Sequence, residues 1–91
     1  MELENLRREI DAIDEKLVGL LVRRLHVVDE VAAAKRISGK AVLDSGREAA
    51  VLDRVSALAD EDCASDIRDI FTDLMAVSRA RQAKSISNLP R

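Results

Sequence analysis

Aromatic side chains are nearly missing from this 91-residue chain, which has no Trp or Tyr and a single phenylalanine, Phe71. A core must therefore be built from Leu, Ile, Val and Ala, and a 47% apolar content supplies them amply. One proline and three glycines leave few places to turn. The strict apolar–polar alternation of strands is also absent, so a turn-rich β fold is excluded and a helical bundle is expected. Cys63 is the only cysteine, which rules out an intrachain disulfide and fits a reducing cytosol. With 15 Lys and Arg against 17 Asp and Glu the net charge is −2, so there is no basic surplus for a nucleic-acid partner. No apolar run is long enough to span a bilayer, and Met1–Asn5 opens no apolar signal region. A soluble, cytoplasmic protein without a membrane partner is the expectation. His26 is read as a surface or packing residue, and no metal site is expected.

Apolar periodicity divides the chain into three helices, long, short and long, within one domain over 1–91. In the first, Leu3, Leu6, Ile10, Ile13, Leu17 and Leu20 step by three and four, and the line resumes at Val27, Val31 and Ala34. That is the heptad spacing of a coiled-coil-like seam. The pattern predicts a helix over about 3–37, stopped at Ser38-Gly39. At ~1.5 Å per residue it is roughly 50 Å long, too long for a compact monomer whose radius of gyration is ~12–13 Å. An intertwined homodimer is the simplest way to give it a partner. The second helix is expected over about 45–59, capped by Asp44 or Ser45, with Ser45-Gly46-Arg47-Glu48 matching the S-x-x-E capping box. The third is expected over about 65–86, capped by Ser65 or Asp62, with a polar tail to Arg91. Its core line reads Ile67, Phe71, Leu74, Ser78 and Gln82.

Polar residues interrupt these apolar lines. Arg24 occupies the seam position after Leu20, and an unpaired charge buried there costs several kcal/mol, about 3–5. Lys35 lies eleven residues on, roughly 20° from the same direction and ~16 Å along the axis. Ser78 and Gln82 sit four apart on the inward line of the third helix, with no obvious protein partner. Taken singly, each has an ordinary explanation. A seam arginine usually meets a nearby acid, a lysine near a helix end complements the dipole, and Glu48 serves a capping box. Taken together, inward cations and neutral hydrogen-bonding groups at a consistent register point to a pocket for a small anion.

The same residues, in order and at matching intervals over nearly the whole chain, resemble the all-helical chorismate mutase family. The resemblance runs from Leu6-Arg7 and Ile10-Asp11-Ala12-Ile13-Asp14 through Leu17, Leu20-Leu21, Arg24 and Lys35. It continues in Gly39-Lys40-Ala41-Val42-Leu43-Asp44-Ser45-Gly46-Arg47-Glu48, which is similar to the family's G-x-P-V-x-D-x-x-R-E stretch, and ends in Ser78-x-x-x-Gln82. Ala41 stands at the usual proline position.

The resemblance implies an all-α intertwined homodimer that rearranges chorismate to prephenate without a cofactor. Lys35, Gln82 and Glu48 would be catalytic, with Lys35 and Gln82 donating to the ether oxygen and Glu48 meeting the ring hydroxyl with the Asp44 backbone. Arg24 and an Arg7 donated by the other subunit would clamp carboxylates. Ser78 would touch the ring carboxylate, and Arg47 would line the site and help keep Glu48 placed. Helix geometry agrees on Arg7, which lies ~25 Å from Arg24 along the axis and at roughly a right angle to it. Relatives on the same scaffold act on aminodeoxychorismate or split isochorismate. A non-catalytic helical dimerisation module is the alternative from another class.

Overall fold

The computed structural model describes residues 2–87, so the last part of the expected polar tail, to Arg91, lies outside the described residues. The described chain is all-helical: α1 spans Leu3–Ser38, α2 Ser45–Leu58 and α3 Ala64–Ser87. None of these helices is long and apolar enough to cross a membrane.

Each helix boundary has a local cause. Gly39 takes the left-handed conformation, φ 72°, just past the end of α1, which a side chain would disfavour. Gly39 N–H then donates to the Arg36 carbonyl at 3.4 Å and Lys40 N–H to the Lys35 carbonyl at 2.9 Å. This pair of bonds is a Schellman closure, and Lys35 and Arg36 in the last turn complement the helix dipole. Asp44 caps α2, its Oδ1 accepting from the Arg47 backbone N–H at 2.9 Å. The capping box read from Ser45 and Glu48 is therefore not formed, because Asp44 already takes the first-turn donor. At α3 the carbonyl of Cys63 accepts the first helical N–H, from Ile67, at 2.9 Å. The boundary consequently falls at Cys63, not at Asp62 or Ser65.

The second half of α1 and all of α2 pack against α3. Val28 and Ala32 from α1, Val55 from α2 and Met75 from α3 form the buried apolar core. This corrects the seam expected through Val27, Val31 and Ala34. The face that α1 turns toward α3 is displaced by one residue, about 100° of helical rotation, and uses half-buried Leu21 and Leu25 with Val28 and Ala32. Val27 and Val31 remain 50% and 39% exposed.

Among the described residues, the first half of α1 has no such neighbour. Leu3, Leu6, Ile10, Ile13, Leu17 and Leu20 are all exposed in the single chain, Leu20 at 63%. The chain measures 58 × 27 × 14 Å, with a radius of gyration of 16.4 Å, against about 12 Å for a compact domain of this length. It is one layer of helices thick.

Two polar clasps tie the layer together. Arg81 Nε and Nη2 donate to the two carboxylate oxygens of Asp29 at 2.7 and 2.8 Å, joining α3 to α1. Arg68 Nη1 reaches Asp53 Oδ1 and Ser56 Oγ at 3.3 and 3.2 Å, joining α3 to α2. Hydrogen bonding from Arg81 holds the Asp29 carboxyl below its ordinary range. Desolvation opposes that effect, and the charges of Arg81 and His26 add to it.

Because the folded value lies below the unfolded one, Asp29 contributes stability above about pH 4, lost as pH falls through the folded value. Asp29→Asn is expected to melt below wild type at pH 7, with the gap closing under acid conditions in a thermal-melt series. Asp44→Ala is expected to cost about 0.5–2 kcal/mol by urea unfolding, and Asp44→Asn to retain most of the cap.

Candidate active site

The three helices enclose a cavity of about 300 Å³ where α1, the α1–α2 connection, α2 and α3 converge. α1 supplies Arg24 and Lys35 with Val27, Val28 and Val31 between them. The connection supplies Val42 and Asp44, α2 supplies Arg47, Glu48 and Val51, and α3 supplies Met75, Ser78, Arg79 and Gln82. The helical repeat accounts for this grouping. Arg24, Val28, Val31 and Lys35 step by four, three and four, and Met75, Ser78, Arg79 and Gln82 fall within one 100°-wide stripe.

The two α1 cations are held by neutral oxygens. Arg24 Nη1 donates to Ser78 Oγ at 2.8 Å, and the Ser78 hydroxyl itself donates to the Leu74 carbonyl at 2.9 Å. The hydroxyl is thus committed as an acceptor toward Arg24 and as a donor along its own helix. Lys35 Nζ donates to the Val42 carbonyl at 2.6 Å and to Gln82 Oε1 at 3.0 Å. An ammonium has three donors, so one remains. Gln82 accepts through Oε1, which leaves its Nε2–H groups as the donating end.

Ser78 and Gln82 are buried but are not unpartnered, contrary to the sequence expectation. They are the mounts of Arg24 and Lys35. The one-residue shift of α1 brings Arg24 and Lys35 to the edge of the α3 interface, within reach of these side chains.

The acids in the wall are otherwise engaged. Asp44 caps α2, and Glu48 Oε1 pairs with Arg79 Nη1. The expectation that Arg47 holds Glu48 is corrected, since neighbours in a helix point about 100° apart. Arg47 lines the cavity with no side-chain hydrogen bond among the described residues. Arg24, Lys35 and Arg47 therefore face one small space, and among the described residues no carboxylate is paired to any of them.

Arg7 lies elsewhere. Its Nη1 donates to Glu4 Oε1 at 3.0 Å on the exposed first turns of α1, and it does not line the cavity. Of the eight sequence-selected residues, the chain brings seven together and leaves out Arg7. Sequence reasoning missed Arg79. Its signal was available in its spacing, four residues after Met75 and three before Gln82, on the inward stripe of α3.

Comparison with known proteins gives consistent matches. Residues 6–83 match the family model described as chorismate mutase type II. The chain is 32% identical over 80 residues to the intracellular chorismate mutase of Mycobacterium tuberculosis, covering 88% of this chain and 71% of that protein. The intracellular chorismate mutase of Mycolicibacterium smegmatis is 32% identical over 81 residues, covering 88% and 73%. A 53-residue stretch is 43% identical to the bifunctional chorismate mutase/prephenate dehydratase of Escherichia coli K12, covering 58% of this chain and 14% of that protein.

Proposed function

The chain belongs to the chorismate mutase type II family, and on that footing we propose that it is an isomerase converting chorismate to prephenate. The observation that carries this reading is the trio of cations without carboxylate partners around a cavity of about 300 Å³. Chorismate carries two carboxylates, and such a space can neutralise both.

The reaction is a unimolecular rearrangement in which an ether C–O bond breaks as a C–C bond forms across the ring. It needs no nucleophile and no net proton transfer. It needs the enolpyruvyl arm held over the ring and preorganised donors for the charge growing on the ether oxygen. Arg24, fixed through one Nη to Ser78, has its remaining N–H groups for a carboxylate, with geometry as well as charge. Lys35 directs its third N–H at substrate, and Gln82 donates to the ether oxygen through Nε2. Glu48 and the Asp44 backbone receive the ring hydroxyl, and Arg47 adds a further cation. Ser78 acts chiefly by placing Arg24, because its proton is spent on Leu74.

The working unit in this proposal is an intertwined homodimer in the cytoplasm. Six exposed Leu and Ile residues along the first half of α1 support it, since burying each is worth about 1.5–3 kcal/mol. A second chain on that stripe also gives Arg7 a role, as a carboxylate ligand in the partner's cavity.

Two experiments test the reading. Loss of chorismate absorbance is expected with wild-type protein, and Arg24→Ala is expected to reduce kcat/KM by about 10²–10³. Turnover of isochorismate or aminodeoxychorismate in place of chorismate would refute the substrate assignment. Mixing inactive Arg7→Ala chains with inactive Arg24→Ala chains is expected to restore about a quarter of wild-type activity. Half the dimers are then mixed, each with one intact site of two. No recovery despite verified subunit exchange would sink the cross-chain role of Arg7.

A further inference from the structure

Glu48 is the one acid of the cavity wall that is not spent on a helix cap, and it stands among three cations that lack carboxylate partners. Left to Coulomb attraction, its flexible side chain would fold onto Arg24 or Lys35. It would then occupy a position meant for a substrate carboxylate. In the structure it does not. Its Oε1 is taken by Arg79 Nη1, and Oε2 has no hydrogen bond among the described residues. Arg79 lies beside Ser78 and three residues before Gln82, so one stripe of α3 mounts Arg24, Lys35 and Glu48 alike. The pair is half-buried, with 36% and 23% of the two side chains exposed, and both residues line the cavity.

We propose that Arg79 is a positioning residue for the ring hydroxyl. It anchors one oxygen of Glu48, keeps that carboxylate off the anion-binding cations, and leaves the second oxygen aimed at the hydroxyl of the bound ring. The inference rests on the chorismate reading of the site, and it gives Arg79 no direct contact with substrate. Removal of the anchor costs binding in two ways. Glu48 no longer meets the hydroxyl in a fixed direction, and it competes with the substrate for the cations. Both effects fall on ground-state and transition-state binding together, so they appear in KM more than in kcat.

The test is a double-variant cycle on the intact protein with Arg79→Gln, Glu48→Gln and both combined. Arg79→Gln is expected to raise KM for chorismate roughly tenfold while kcat falls less than ~threefold, the scale of one lost charge-assisted contact. Arg79→Lys is expected to recover much of the loss. If Arg79 acts only through Glu48, the double variant is no worse than Glu48→Gln alone. With a chorismate analogue lacking the ring hydroxyl, the wild-type advantage over Arg79→Gln is expected to shrink. A general structural defect would reduce activity on both compounds alike and lower the melting temperature of Arg79→Gln well below that of Arg79→Lys.

Multiplying effects in the double variant would overturn the proposal by showing that Arg79 meets substrate itself. Wild-type KM in Arg79→Gln beside a defective Glu48→Gln would overturn it alone. Wild-type kinetics in Glu48→Gln would overturn the assigned role of Glu48, and the positioning role with it.

Discussion

The site depends on two cations held by oxygens that do not cancel their charge. Arg24 rests on a serine hydroxyl, and Lys35 rests on a glutamine amide oxygen and a backbone carbonyl. Had carboxylates stood at positions 78 and 82, the same helix contacts would form as ion pairs, and an incoming dianion would have to compete with them. Neutral acceptors fix direction while leaving the positive charge for a ligand. Half-burial strengthens that attraction, because charges interact more strongly away from bulk water. The same bonds link α1 to α3, so the geometry of the site and the packing of the bundle are set by the same contacts.

α3 is the common mount. Its inward stripe carries an apolar residue, Met75, then a hydroxyl, a guanidinium and an amide, each facing a different charged group on α1 or α2. The acids are disposed of locally. Asp44 is consumed in starting α2 and Glu48 is drawn to Arg79. Asp29, outside the cavity, is closed in a two-pronged pair with Arg81. The positive character of the pocket therefore arises without a basic chain, through the placement of partners and not through composition. This is how a protein of net charge −2 presents a cavity lined by three cations without carboxylate partners among the described residues.

The three helices could be read in the sequence because apolar spacing and the Gly39 stop report directly on backbone geometry. The inward polar residues could be read because a charge at an apolar register position demands an explanation. The finer register could not. A heptad line marks where a helix is greasy, not which neighbour each part of it meets. On α1, residues 3–20 lack a packing partner among the described residues, whereas residues 21–35 turn a neighbouring face to α3. Capping is ambiguous for a related reason. Asp44 and Ser45 both suit an N-cap, and the choice turned on which side chain reached the Arg47 N–H. Partner choice for Glu48 was likewise hidden, since adjacency to Arg47 in sequence is not adjacency in space. The spacing of Arg79 places it on the inward stripe of α3, but its pairing with Glu48 becomes visible only once α2 lies across α3.

A chain one layer thick also links assembly to chemistry. Among the described residues no large side chain is fully buried, so helix pairing within one chain supplies only part of the usual hydrophobic stabilisation. Much of the exposed apolar surface lies on the half of α1 that carries Arg7. In the proposed dimer, the stripe Leu3–Leu20 gains its cover through the same docking that carries Arg7 to the other cavity. A single apolar face then serves two ends. It stabilises a helix too long for its own domain, and it delivers a cation that this helix cannot bring to its own site. Arg7 sits outside the cavity of its own chain because a straight helix cannot double back. In the proposed dimer, the second chain bridges that separation of ~25 Å.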